Sequence, residues 1–210
     1  MSLYRDITQR PWVQIGLPEG IEPKPSFNVA NEKVALVLLI AVGAVLFSLL
    51  VVAYMIRLSL GAGDWVPIPI PDLLWWNTGA LVASSILLQS AVFVALREKT
   101  VSFTSLSNIM SWLGGACALL FIAGQFAVWN QFVAADLGVR GNPANSFFFL
   151  LTGIHVLHLV GGICVWVRQQ LRARAVVSLA QRQLALELCA GYWHFLLLVW
   201  AGLFYLLMTT

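Results

Sequence analysis

Five long apolar runs that contain no Asp, Glu, Lys or Arg constrain this sequence more than any other feature. Each run has about 21–24 residues, which is about 32–36 Å of helix at 1.5 Å per residue and enough to cross a bilayer. In lipid, backbone polar groups must be paired within the segment, so each run is predicted to be a transmembrane helix. The predicted spans are Val34–Ile56, Leu73–Leu96, Ile109–Phe132, Ala144–Val167 and Leu188–Met208.

The composition excludes a soluble domain. Only 10% of the 210 residues are charged and 60% are hydrophobic, whereas soluble domains have about 25% charged and about 45–50% apolar residues. A soluble enzyme, a disordered tail and a secreted disulfide scaffold are therefore excluded. We predict an all-α fold, an integral membrane bundle of five transmembrane helices. It forms a single domain over residues 34–210 and follows a polar N-terminal arm over residues 1–33.

The Lys and Arg residues are distributed unequally between the connections. Ten lie in the N-terminal arm and in the second and fourth connections, whereas only Arg57 and Arg140 lie on the other side of the membrane. Cytoplasmic connections of membrane proteins carry the excess of positive charge. This bias predicts a cytoplasmic N-terminus and an external C-terminus. The net charge of +3 arises from these basic connections, which are expected to face lipid headgroups. It does not indicate a nucleic-acid partner.

Three histidines are the strongest candidates for chemistry within the spans. His155 and His158 are three residues apart on one helix face, and His194 is in the last span. The alternatives are haem or metal ligation, a proton relay, and hydrogen bonding to other helices, backbone or lipid headgroups. We favour hydrogen bonding, because haem ligation usually draws one histidine from each of two helices and because no carboxylate lies at membrane depth. The three cysteines lack metal-ligand spacing and are interpreted as small buried residues.

The second span carries polar side chains on two neighbouring helix faces. Asn77 and Ser84 share one face, and Thr78, Ser85 and Gln89 share the next. Such side chains hydrogen-bond across membrane helices with about 0.6–2 kcal/mol each, and small residues four apart let helices approach closely. We interpret these residues, and the glycines of the third and fourth spans, as packing contacts. The alternative is the hydroxyl-lined channel of a transporter, although the spans lack the broken helices and charges of ion-coupled transport.

Four short motifs occur in order, one in each of four spans. The residues that form them are Ala53–Tyr54 with Arg57, Asn77–Thr78 with Ala83–Ser85, Thr152–Gly162, and Tyr192–Phe195 with Val199–Trp200. Together they resemble motifs of subunit III of the haem–copper terminal oxidases, including its T-G-x-H-x-x-H-x-x-x-G segment. The resemblance covers the chain from about Val34 to Leu207. The count of five spans is similar to the family's shorter form, which lacks the first two of seven helices.

The resemblance implies a subunit without redox centres. In this family the haem and copper lie in subunit I, and in the cytochrome c oxidases also in subunit II. Subunit III packs on subunit I, binds phospholipid in a cleft between helices, and supports proton uptake and turnover lifetime. We therefore expect a non-catalytic subunit of a respiratory oxidase in the bacterial cytoplasmic membrane, with no cofactor of its own. The alternatives are an accessory protein of a nitric oxide reductase from the same superfamily and a self-standing membrane haem protein.

Three positions at which the family usually has acids at membrane depth are apolar here. They are Gly43, Val128 and Leu197. A charge at mid-bilayer costs at least about 2.5–3.5 kcal/mol, so the loss of these acids does not disfavour folding. Roles that depend on them, such as charged contacts to subunit I or proton handling, are not carried over to this chain.

The residues predicted to matter for function are therefore structural ones. Arg57 is expected to pair with a lipid phosphate or a neighbouring carboxylate, and the polar residues of the second helix are expected to tie it to its neighbours. The histidines and a tryptophan of the last two helices are expected to hold these helices together or to bind lipid headgroups. The complete set is Arg57, Asn77, Thr78, Ser84, His155, His158, Trp193 and His194.

Overall fold

Five helices account for nearly all of the chain that can be described. A computed structural model describes residues 30–60, 63, 65–98, 105–172 and 178–209. In these ranges there is no strand, and the helices are α1 (Asn31–Ser59), α2 (Leu73–Ala95), α3 (Leu106–Ala134), α4 (Pro143–Arg172) and α5 (Leu179–Thr209). Each helix is long and apolar enough to cross a membrane, which confirms the predicted all-α fold with five transmembrane helices. The orientation of the termini stays a prediction.

Most of the helices extend beyond the predicted spans. The clearest case is α5, which begins at Leu179, nine residues before the predicted Leu188. Arg182 and Glu187 lie in this extension, and a limit set by the last charged residue therefore placed the start of the helix too late. Most of the predicted N-terminal arm, residues 1–33, lies outside the described residues.

A proline and an asparagine organise the start of α4. Pro143 is the first helical residue, where its fixed φ is helical and its missing N–H is not needed. The side-chain carbonyl of Asn142 accepts a hydrogen bond from the backbone N–H of Ala144 at 3.1 Å. Its amide nitrogen donates to the carbonyl oxygen of Val66 at 2.6 Å. Asn142 therefore ties the proline-rich connection before α2 to the start of α4.

The helices α2, α3, α4 and α5 pack closely on one another, and α2 and α3 share the longest contact. Glycines allow several of these approaches. Gly115 of α3 lies directly against the indole of Trp166 of α4, where any Cβ would overlap the ring. Gly162 of α4 lies against Trp193, whose Cζ3 would be 2.9 Å from an added Cβ. Two other glycines predicted to be packing contacts, Gly153 and Gly161, have no such neighbour within 4 Å.

Helix α1 lies at the periphery of this group. Only 11% of the residues in its most apolar 18-residue window are buried, against 39% in each other helix. Its contacts are made by a few positions: Gly43 lies under the ring of Phe195, and Phe47 lies 5.1 Å from the ring of His158 between centroids. Tyr54 contacts Phe147 in an edge-on arrangement at 5.4 Å. Large aromatic rings therefore separate α1 from α4 and α5.

Candidate functional site

A cleft of about 870 Å³ opens between α1, α4 and α5. This volume lies within the range of about 300–1,000 Å³ that is typical of small-molecule sites. The cleft lies toward the end of the bundle at which α1, α3 and α5 begin. We call this end of the bundle the basic end, because it carries Lys33, Arg97, Arg168 and Arg182.

The chemical character of the cleft changes along its length. At the basic end, Arg168 and Arg182 line it together with Glu32, the one acid among the described lining residues. Lys33 and Glu187 form an ion pair between α1 and α5 at 2.9 Å and neutralise each other. The deeper lining is mainly aliphatic and includes Leu36, Leu39, Leu157 and Val165. The lining thus combines a net positive polar end with an apolar body, which suits an amphiphile with an anionic headgroup.

Arg182 is fixed in the wall of the cleft by a chain of hydrogen bonds. Although it is charged, its side chain is only 7% exposed. Its Nη2 donates to the hydroxyl oxygens of Ser105 and Ser107, both at 3.2 Å. The hydroxyl of Ser107 in turn donates to Oε2 of Glu98 at 2.6 Å. Glu98 therefore stabilises the buried guanidinium through Ser107, and the start of α5 is linked to the start of α3 and the end of α2.

The start of α3 is also joined to the end of α4. The hydroxyl oxygen of Ser111 accepts hydrogen bonds from Nε1 of Trp166 at 3.1 Å and from Nε2 of Gln170 at 2.7 Å. Gln170 lines the cleft, and its side chain is buried. The polar end of the cleft is therefore formed by side chains with fixed positions, which favours selective binding.

Residues of α4 and α5 line the part of the cleft farther from the basic end. His158 lines it and is half-buried, with Nδ1 2.8 Å from the carbonyl oxygen of Ile154. The hydroxyl of Tyr192 donates to the carbonyl oxygen of His158 at 3.2 Å. Trp193 is buried against Gly162 and also lines the cleft. The structure thus brings two of the predicted site residues, His158 and Trp193, to the cleft.

His155 lies in a different environment from His158, although the two are on the same helix. It is fully buried, and its ring centroid is 5.2 Å from that of Trp200, 5.8 Å from that of Phe121 and 6.3 Å from that of Phe47. Among the described residues, neither ring nitrogen has a hydrogen-bond partner. His155 therefore packs as an aromatic ring where α1, α3, α4 and α5 meet.

One polar face of α2 contacts α5. The hydroxyl oxygen of Thr78 accepts a hydrogen bond from Nε1 of Trp200 at 3.0 Å. About two turns further along α2, Ser85 Oγ lies 2.6 Å from Nδ1 of His194. After one more turn, Gln89 Oε1 lies 2.8 Å from Nε2 of the same ring. His194 therefore joins α5 to α2. From the sequence, it is expected either to hold α4 and α5 together or to bind a lipid headgroup.

The other polar face of α2 contacts α3. The hydroxyl of Ser84 donates to the carbonyl oxygen of Gly114 at 2.7 Å. The side chain of Asn77 lies directly against Gly124, where an added Cβ would overlap its amide. The two faces predicted from the spacing of these residues therefore contact two different helices.

Arg57 and the three positions of the missing acids lie away from the mouth of the cleft. Arg57 is half-buried in the last turn of α1, at the end of the bundle opposite to the basic end. Gly43 is covered by Phe195, and Val128 is fully buried in the hydrophobic core. Leu197 packs on the same core. Apolar contacts thus surround the three positions at which the resemblance led us to expect acids.

Arg168 and Arg182 are not among the site residues predicted from the sequence, in which they count only as charges of a connection. The signal for Arg182 was nevertheless present. It stands four, seven and eleven residues before Leu186, Cys189 and Trp193, so it lies on the buried face of α5. For Arg168, which is exposed at the end of α4, no comparable signal exists.

The fold and the cleft define the class: an α-helical membrane protein with five spans and an amphipathic cleft at one end. Residues 25–209 match the family model described as cytochrome c oxidase subunit III, and the chain belongs to this family. This confirms the resemblance found in the four sequence motifs.

Several curated bacterial proteins are similar over most of their length. A probable cytochrome c oxidase subunit 3 of Nocardia farcinica is 29% identical over 161 residues, which cover 75% of this chain and 77% of the relative. The protein of that name from Mycobacterium tuberculosis is 28% identical, with 68% and 70% covered. The cytochrome c oxidase subunit 3 of a Synechocystis strain is 28% identical, with 81% and 72% covered.

Proposed function

We propose that this chain is the non-catalytic, lipid-binding subunit III of a haem–copper respiratory oxidase, in which it packs on the catalytic subunit I and stabilises it. Membership of the subunit III family supports a place in an oxidase complex. The names of the relatives support cytochrome c as the electron donor of that complex, acting on other subunits. Haem and copper are then held by partner subunits, subunit I and, with cytochrome c as donor, subunit II.

The observation that carries the lipid-binding part of the proposal is the polarity of the cleft. The apolar side chains of the cleft give little net driving force for binding a lipid tail, because the tail is equally well solvated by other lipids in the membrane. Selectivity therefore rests on the headgroup, for which each Arg near the membrane surface contributes about 1 kcal/mol toward an anionic lipid. Arg168 and Arg182 line the cleft where a headgroup would lie, and Glu32 offsets one of the two charges.

A pair of matched glycine variants tests whether lipid occupies the cleft. Gly161 lines it, and a Cβ added there meets no atom within 4 Å, so the side chain of Gly161→Leu has room to extend into the cleft and narrow it. Gly153 lies on the same helix outside the cleft, and a Cβ added there also meets no atom within 4 Å, which makes Gly153→Leu the control. We expect the phospholipid retained by the purified complex, measured by extraction and mass spectrometry, to fall only in Gly161→Leu. Equal lipid content in both variants would contradict lipid binding in the cleft.

The contact with subunit I is tested by co-purification. The tagged chain, extracted in a mild detergent, should bring down a haem-bearing subunit I and an oxygen-consuming activity. Recovery of the chain alone would refute the proposal, and a partner that reduces nitric oxide would support the alternative accessory role. If the separated chain showed its own Soret band, the chain would be a haem protein in its own right.

The same comparisons support a membrane location for the complex. The relatives come from bacteria, which supports the bacterial cytoplasmic membrane as the location of this chain. Fractionation of cells by density gradient should place the chain in the same fractions as the membrane-bound oxygen consumption.

A further inference from the structure

A polar group lies on the outer surface of the bundle at membrane depth. His194 is the midpoint of α5, fifteen residues from Leu179 and fifteen from Thr209. Its side chain is nevertheless exposed. The position is twelve residues, or about 18 Å, from Arg182 at the basic end. Polar side chains inside a membrane almost always face protein or water rather than lipid tails, so this exposure requires an explanation.

The hydrogen bonds of His194 determine which groups remain unused. The carbonyl oxygen of Gln89 can only accept, so Nε2 of His194 carries the hydrogen of that bond, and Nδ1 accepts from the hydroxyl of Ser85. Ser85 is buried, whereas Gln89 is half-buried next to His194. Within the described residues, the amide nitrogen of Gln89 makes no hydrogen bond. The group therefore keeps two N–H donors that no other described residue uses.

The surroundings of His194 favour the approach of another helix. Leu198, Ala201 and Gly202 continue its face of α5 and are all exposed. A Cβ added at Gly202 meets no atom within 4 Å, and small exposed residues let a second helix come close. On α3, by contrast, the exposed side chains of Ile109, Leu120 and Phe126 are apolar. We call the surface formed by Gln89, His194, Leu198, Ala201 and Gly202 the α2/α5 face.

We propose that the α2/α5 face docks on a transmembrane helix of a partner oxidase subunit, and that this helix offers a hydrogen-bond acceptor to the amide of Gln89. This inference rests on the proposed function. Lipid tails have no acceptor at this depth, whereas a hydroxyl, a side-chain carbonyl or a freed backbone carbonyl of a partner helix supplies one.

Photo-crosslinking in the intact complex tests which face meets the partner. A benzoylphenylalanine replaces Leu198, which is 72% exposed on the α2/α5 face, or Leu120, which is 63% exposed at the midpoint of α3. After irradiation of native membranes, we expect the probe at Leu198 to crosslink to a partner oxidase subunit and the probe at Leu120 to give lipid adducts. The reverse pattern, lipid adducts at both positions, or a crosslink from Leu198 to a second copy of this chain would overturn the inference.

A second measurement tests the hydrogen bond itself. Gln89→Leu removes the donors, whereas Ser90→Ala is the control, because the Ser90 hydroxyl bonds only within α2, to the carbonyl oxygen of Ile86 at 2.8 Å. We expect the association constant for the partner, obtained from a detergent titration, to fall by about 3- to 30-fold in Gln89→Leu, the range that one hydrogen bond in a membrane contributes. An unchanged association constant would refute the role of Gln89. If the unaltered chain binds no haem-bearing partner, the proposed function fails as well.

Discussion

At the scale of single residues, histidine has a different role at each of three positions. His155 is surrounded by aromatic rings, His158 lines the cleft, and His194 is hydrogen-bonded on the outer surface. The sequence placed all three in spans, and it could not separate them, because their environments depend on how α1, α2 and α5 are arranged. This arrangement is a property of tertiary packing and not of local spacing.

The contrast between two of these histidines predicts opposite effects of one substitution. In His155→Phe, a ring without a hydrogen-bond partner among the described residues becomes an apolar ring, so the free energy of unfolding should stay the same or rise. In His194→Phe, two hydrogen bonds to α2 are lost, each worth about 0.6–2 kcal/mol, so the free energy of unfolding should fall. Thermal unfolding of the purified chain in detergent measures both. A large loss of stability in His155→Phe would show that its ring nitrogens make essential contacts.

The charges of the cleft predict a change in lipid selectivity. Arg168→Gln removes an exposed cation that lines the cleft, whereas Arg97→Gln removes an exposed cation of the same end that does not. One Arg near the surface contributes about 1 kcal/mol to the binding of an anionic lipid. We therefore expect the enrichment of anionic lipid in the purified complex to fall about 5-fold only in Arg168→Gln. Mass spectrometry of the bound lipids gives the ratio. A similar fall in Arg97→Gln would attribute the effect to the general charge of the membrane surface.

At the scale of helices, the spacing of polar residues separates two faces of α2 but defines no such face on α1. Residues seven apart on a helix share a face, and the two predicted faces of α2 contact α5 through Thr78 and Ser85 and α3 through Asn77 and Ser84. The sequence of α1 contains no such pattern. Phe195 of α5 lies over Gly43 of α1 and keeps α1 at a distance from α4 and α5. This separation forms the cleft, and it depends on a residue of another helix.

The hydrogen bond between Thr78 of α2 and Trp200 of α5 predicts a measurable contribution to stability. Thr78→Val keeps the size of the side chain but removes the acceptor of the Trp200 indole, which is fully buried. A buried donor left without a partner costs about 1–3 kcal/mol, so the unfolding temperature should fall. Ser90→Ala, which changes a hydroxyl bonded within α2 only, should leave it nearly unchanged. If Trp200→Phe fully restored stability in the Thr78→Val background, the loss would be assigned to the unpaired indole.

At the scale of the whole molecule, the charges at the ends of the helices predict how the bundle lies in the membrane. Three of the five helices begin at the basic end, and the excess of Lys and Arg predicts that this end is cytoplasmic. In a variant without native cysteines, Val139→Cys in the connection between α3 and α4 should react with an impermeant maleimide in intact spheroplasts. Ser178→Cys before α5 should react only after the membrane is opened. The opposite pattern would invert the bundle and place Arg168 and Arg182 in the outer leaflet. Because the anionic surface of the cytoplasmic leaflet attracts basic segments, the orientation also determines which lipids reach the cleft.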